Sequence, residues 1–167
     1  MDPKFPPTPE ASNISNLGQS DARSWGGQAA ALVLAGAATL SLTRELHAGR
    51  TVAADQATGT AFSLPAAVGS GDRYRIMVRV ASNANTILCA PNTDDFNGGV
   101  LINDTGDTSA ATADFFPAAA TPNTMTLTTA GGGGFVGDWV VFTDILAGEW
   151  QVFGVFRGAS DPVTPFS

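Results

Sequence analysis

The stretch Arg73-Tyr74-Arg75-Ile76-Met77-Val78-Arg79-Val80 places Tyr74, Ile76, Val78 and Val80 at every second position, with Arg73, Arg75, Met77 and Arg79 between them. Side chains of an extended chain point alternately to opposite faces, so this octet reads as a strand with one face in a core. Its other face carries arginine. The same period recurs on both sides: Leu40 and Leu42 alternate with Thr39, Ser41 and Thr43, Phe62 and Leu64 share a face before Pro65, and Met125 and Leu127 alternate with Thr124, Thr126 and Thr128. Asp138–Ile145 and Glu149–Arg157, separated by Leu146-Ala147-Gly148, read as a hairpin.

The last of these runs differs from the rest. Trp150, Val152 and Phe156 fall on one face and Phe153 and Val155 on the other. A strand apolar on both faces belongs between packed layers or in a subunit interface. Gly, Pro and β-branched residues punctuate every window long enough for a helix. The expected fold is therefore all-β: a compact antiparallel β-sandwich or barrel over residues 29–167, preceded by an extended Pro-rich arm over residues 1–28.

That arm, MDPKFPPTPEASNISNLGQSDARSWGGQ, has four prolines in its first nine residues and no apolar period. Alone it buries too little surface to offset its ordering entropy. It is expected to lie on a neighbouring copy or another protein in preference to its own domain, with Phe5 and Trp25 as anchors in a groove. The apolar run Ala29–Leu42 is shorter than the ~20 residues of a spanning helix and is interrupted by Gly, Thr and Ser, so it reads as strand and turn. No membrane partner is expected.

Composition narrows the functional classes. The 167 residues include ten Phe and three Trp, enough for a core, but only 14% are charged, against the ~25% usual in soluble domains. A surface of that kind suits a protein packed against neighbours. The net charge of −7 argues against nucleic-acid binding, which draws on a basic face. Cys89 is the only cysteine, so neither an intrachain disulfide nor a cysteine-rich metal site is expected, in keeping with folding in a reducing cytoplasm.

Catalytic machinery is thin. His47, the single histidine, sits in Leu46-His47-Ala48-Gly49-Arg50 and reads as a turn or interface residue, with no GxSxG nucleophile turn anywhere. Gly131–Gly134 lacks the Lys-Ser or Lys-Thr of a phosphate loop and reads as a flexible or tightly turning loop tip. Asp94, Asp95, Asn97, Asn103, Asp104 and Asp107 cluster in sequence, yet their spacing misses the calcium-loop pattern, and turn chemistry accounts for them. No enzyme activity, cofactor or metal is expected. Five of the eight basic residues lie between Arg44 and Arg79. Arg73, Arg75 and Arg79 on one strand face read as a solvated, salt-bridged face, or else as a dock for an acidic partner.

Several segments, taken in order, carry a resemblance: Leu42-Thr43-Arg44-Glu45-Leu46-His47-Ala48-Gly49-Arg50-Thr51-Val52, Phe62-Ser63-Leu64-Pro65-Ala66-Ala67, Gly69-Ser70-Gly71-Asp72-Arg73-Tyr74-Arg75, Gly131–Gly134 leading to Gly137-Asp138, Trp150, and Thr164-Pro165-Phe166-Ser167. Over residues 40–167 the chain resembles small structural proteins of tailed bacteriophages, of the head decoration (cement) type. The resemblance implies a β-rich virion protein on the outer face of the capsid, made in the host bacterial cytoplasm. It also implies a homotrimer bound to the major capsid protein. A fibre or appendage module binding host-surface glycans is the alternative. The partner-binding residues expected on these grounds are Phe5, Trp25, Arg73, Arg75, Arg79, Phe153 and Val155.

Overall fold

The structure, a computed structural model, describes residues 32–90, 93–105, 113–118, 121–159 and 162–167. The proposed arm, with Phe5 and Trp25, lies outside these residues, as does Asp107. In the first half of the described chain, strands are laid down alternately on two sheets. β1 (Val33–Ala35), β3 (Thr51–Ala54) and β5 (Arg73–Val78) enter one sheet, while β2 (Thr39–Ser41), β4 (Ala61–Ser63) and β6 (Asn85–Leu88) enter the other. A single helical turn, α1 (Arg44–His47), joins β2 to β3.

This weave has a consequence for strand direction. Each passage to the other sheet reverses the chain, so every second strand returns along the first. β1 pairs with β3 and β3 with β5 in parallel, as do β2 with β4 and β4 with β6. The all-β expectation holds, but the expected antiparallel arrangement is corrected: both sheets are mixed. Period-two alternation tells which face a side chain takes and nothing about the direction of the neighbouring strand. A parallel neighbour needs a crossover, and here the crossover is a strand of the opposite sheet.

The second half adds β7 (Asp95–Asp104), β8 (Ala113–Pro117), β9 (Thr124–Leu127), β10 (Trp139–Leu146) and β11 (Glu149–Gly158). The larger sheet runs β1-β3-β5-β10-β11-β7-β8 and the smaller β2-β4-β6-β9. The expected hairpin is present as β10 and β11, antiparallel, with Trp139 opposite Val155 and Phe142 opposite Val152. β11 then pairs in parallel with β7 along ten residues, from Glu149 opposite Asp95 to Gly158 opposite Asp104.

One face of each sheet contributes to a single buried cluster. Val52, Tyr74, Ile76, Val140, Phe142, Trp150 and Phe156 from the larger sheet join Phe62, Ile87, Met125 and Leu127 from the smaller. Tyr74 meets Trp150 edge-on at 5.6 Å between centroids, and Phe96 lies 5.3 Å from Phe142 and 6.4 Å from Phe166. Such pairs add ~0.5–1.5 kcal/mol beyond the area they bury. Phe166 reaches this cluster because the segment around it runs along the edge of β9. The Thr126 amide donates to the Pro165 carbonyl (2.8 Å) and the Ser167 amide to the Thr124 carbonyl (2.9 Å). An uncovered edge invites pairing with another chain, and here the chain's own residues occupy it.

Two small features narrow the sequence reading. Gly131–Gly134 is a buried turn rather than a flexible tip: all four residues are buried, and a Cβ on Gly134 would stand 2.3 Å from the Thr129 nitrogen. Only a residue without a side chain lets the backbones approach so closely. His47 is buried at the end of α1, where its Nδ1 accepts the Thr43 backbone N–H at 2.9 Å. That bond occupies one ring nitrogen with closing the helical turn.

Cys89 is buried, with its Sγ 3.0 Å from the Asp94 carbonyl oxygen and 3.4 Å from that of Asn123. Burial, reinforced by the nearby Asp94 charge, pushes its thiol up to about 12. The thiolate is the reactive form, so Cys89 is expected to stay silent toward a disulfide reagent at pH 8 until the protein is unfolded, then to react once per chain. Rapid reaction of the native protein would contradict this environment.

Candidate interaction surface

The face of the larger sheet turned away from the core is the most unusual surface among the described residues. Register across the sheet aligns Leu34 with Ala53, Ala53 with Met77, Met77 with Trp139, Trp139 with Val155, Val155 with Leu101 and Leu101 with Phe115. One apolar row therefore crosses all seven strands, exposed at Leu34 and Phe115, half-buried at Met77, Trp139, Val155 and Leu101, and fully buried at Ala53. Polar residues normally fill the solvent side of such a sheet.

The adjacent row runs Thr51, Arg75, Val141, Phe153, Gly99 and Pro117, and is apolar in its centre. Phe153 is 53% exposed, Phe115 57% and Leu34 51%. Trp139 and Phe153 meet edge-on at 6.0 Å with 64° between their planes, and the Arg75 guanidinium sits 5.0 Å above the Trp139 ring. A guanidinium over an indole face is held by the ring quadrupole, worth ~0.5–1 kcal/mol where solvent reaches it. The Phe115 ring lies over Gly99, where an added Cβ would be 2.5 Å from its Cζ. Beyond these two rows the face becomes polar, through Arg73, Thr143, Gln151 and Asn97, then Glu149 and Asp95. An apolar centre inside a polar rim is the anatomy of a protein interface.

Several expected site residues meet here. Arg73 and Arg75 stand on the outward face of β5, and Phe153 and Val155 on that of β11. Arg79 does not join them: it lies just past the end of β5 and donates from Nη1 to the Asp55 carboxylate at 2.8 Å. The sequence reading missed Trp139, Met77, Leu101, Leu34 and Phe115. Alternation places Trp139 on a face, but only pairing of strands distant in sequence puts it beside Phe153 and Arg75.

The acidic residues of 94–104 do not assemble into a site. Asp94 and Asp104 are buried, whereas Asn97 and Asn103 are exposed, and β7 separates the ends of the stretch by ten residues. Asp94 is committed internally: its Oδ2 accepts the Ala67 N–H at 2.7 Å and the Trp150 Nε1–H at 3.4 Å. Among the described residues no three of His, Cys, Asp and Glu are grouped to hold a metal. Thr93, Asp95, Thr121 and Asn123 line a polar cleft of about 270 Å³.

A third polar constellation is closed on itself. Asp144, buried on β10, accepts the backbone N–H groups of Val68 (3.0 Å), Gly69 (2.6 Å) and Ser70 (3.0 Å) together with the Ser70 hydroxyl (2.7 Å). Successive amides aimed at one point form an anion nest, and the chain's own carboxylate fills it. Burial pushes the Asp144 carboxyl up, but the hydrogen bonds from Ser70, Gly69 and Val68 outweigh it and hold the group below its ordinary value. No helix among the described residues is long and apolar enough to cross a membrane. Comparison of the chain with family models, with curated proteins and with solved structures finds no match in any of the three.

Proposed function

We propose that this chain is a non-enzymatic virion structural protein, a decoration or cement protein on the outer surface of a bacteriophage head that stabilises the shell by bridging major capsid subunits. The observation that carries this reading is the apolar row from Leu34 to Phe115 across the outward face of the larger sheet. A patch of that extent in solution is a liability, and proteins that keep one generally cover it in an assembly. A shell presents the same contact many times, so modest contacts on each subunit add to a firm hold. The order of motifs resembling phage head proteins supplies the identity of the assembly.

A glycan-binding appendage would use flat aromatic platforms. Trp139 and Phe153 stand at 64° to each other, one edge against the other's face, which favours protein side chains over stacked sugar rings. The test is the copy number of this polypeptide in purified particles relative to the major shell protein. A near-stoichiometric ratio is expected. A handful of copies per particle would move the assignment to an appendage, and absence from particles would end the virion reading.

A further inference from the structure

We infer that the free edge of β9, with the pocket that Phe166 fills, is an acceptor groove for an extended chain segment, and that residues 162–167 of a second copy seat there in exchange for the chain's own. This site stands apart from the outward face of the larger sheet and goes beyond the proposed function.

β9 ends the smaller sheet, with β6 along one flank only. Its other flank carries residues 162–167. Thr124 and Ser167 exchange both main-chain bonds, at 3.0 and 2.9 Å, and the Thr126 N–H donates to the Pro165 carbonyl at 2.8 Å. The Asn123 N–H adds a bond to the Ser167 carbonyl at 3.2 Å. Between these bonds Met125 and Phe166 stand opposite each other, antiparallel. This is strand addition to a sheet edge, where main-chain bonds give affinity and side-chain pockets give selectivity.

The selective element is Phe166. It is 9% exposed and lies 6.4 Å from the Phe96 ring, in the same cluster as Met125 and Leu127. Pro165 is buried beside it, and its ring fixes φ, which lowers the ordering cost of an extended ligand. Val163 lies over Gly131, where an added Cβ would stand 2.6 Å from its Cγ2. The ligand class is therefore an extended peptide with an aromatic residue directly after proline.

Two features make the occupant exchangeable. Its one bridge among the described residues is to β9, and Pro165 has no N–H to donate back to that strand. A short stretch held along one side by a few main-chain bonds and one ring opens without unravelling a ladder. The second feature is identity: every copy carries the same six residues, so exchange between copies needs no new complementarity. Contacts made within a chain and between chains are then the same, their energies cancel, and the local concentration of neighbouring segments sets the balance.

The experiment uses the full chain, with circular dichroism to confirm that each variant keeps the parent fold. The probe is a fluorophore-labelled peptide of residues 162–167, followed by anisotropy. The parent is expected to bind it weakly, because its own segment competes. Phe166→Ala deprives that segment of its anchor and should bind the peptide roughly tenfold more tightly or better, since apparent affinity rises with the fraction of open grooves. On this variant a peptide with alanine for its phenylalanine should bind roughly tenfold more weakly or worse. Tagged Phe166→Ala should also capture untagged parent chain, and free peptide should release it. Where Phe166→Ala loses the parent fold, Ser167→Pro takes its place: it removes the N–H that donates to Thr124 and leaves the buried ring intact. Equal peptide binding by parent and variant, indifference to the peptide's phenylalanine, or peptide binding without capture of the parent chain would each overturn the inference. Copy number in particles separates it from the function. Capture by a protein absent from particles keeps the groove and removes decoration, whereas a particle-bound protein that captures nothing keeps decoration and removes the exchange.

Discussion

Replacing Asp144 with alanine is expected to lower the unfolding free energy by about 2–4 kcal/mol, because it strands the amides of Val68, Gly69 and Ser70 that converge on this carboxylate. The loss exceeds that of an ordinary surface bond because Asp144 is buried and its carboxylate takes four donors, whereas its backbone bonds to the same loop persist in the variant. Its carbonyl accepts the Gly71 N–H at 2.8 Å and its amide donates to the Asp72 carbonyl at 2.9 Å. Asp144→Asn keeps one acceptor oxygen and should lose less. The same carboxylate makes stability depend on acid. Its folded-state value is depressed, so its contribution is complete above the ordinary aspartate value of 3.8 and fades as pH falls below that toward the folded value. Urea midpoints of parent and Asp144→Asn, measured between pH 7 and pH 2, should therefore converge at the acid end. A constant gap across that range, or no gap at pH 7, would refute the role given to the nest.

The second large effect is expected at Gly98, in the ten-residue ladder between β7 and β11. Its φ of +109° is one that side chains rarely adopt, and a Cβ there would stand 2.3 Å from the Val152 carbonyl oxygen. Backbone in the middle of a sheet has nowhere to move. Left-handed strain of ~1–2 kcal/mol together with overpacking of ~1–3 kcal/mol gives about 2–5 kcal/mol for Gly98→Ala. Gly137→Ala is the control, since Gly137 has a φ of +95° but open space where its Cβ would go. It should lose only the strain. Equal denaturation midpoints for the two variants would show that the close approach to Val152 contributes nothing.

The sequence made some of this legible, for identifiable reasons. The Arg73–Val80 alternation, the Leu146-Ala147-Gly148 turn and the doubly apolar run at Trp150–Phe156 are local patterns, and β5, β10 and β11 follow from them. Phe153 and Val155 do face away from the core, beside Arg75. Strand direction was not legible, because alternation is identical in parallel and antiparallel neighbours. Nor was the apolar row. Leu34, Met77, Trp139, Leu101 and Phe115 each look like an isolated apolar residue in its own segment, and only register across seven strands joins them. Arg79 reads as a member of the β5 face by counting twos, but the strand stops at Val78 and Asp55 captures it. The Gly69-Ser70-Gly71-Asp72 motif is visible in sequence, while the carboxylate it surrounds comes from more than 70 positions later.

The parallel seam between β7 and β11 also bears on how fast the molecule forms. The residues it pairs are 54 positions apart in the chain, whereas the β7–β8 and β10–β11 pairings are each made by strands that follow closely in sequence. Loop closure must be completed before distant pairs reward it, so the two local hairpins are expected to form first and their mutual docking to be the slower step. Until it occurs, the facing edges of β7 and β11 are both open, and neighbouring chains compete for them. A crowded cell making many copies at once would meet that hazard during synthesis, long before any finished surface is buried. The ladder that most firmly ties the halves of the larger sheet together is thus also the interval in which the newborn chain is most exposed to misassembly.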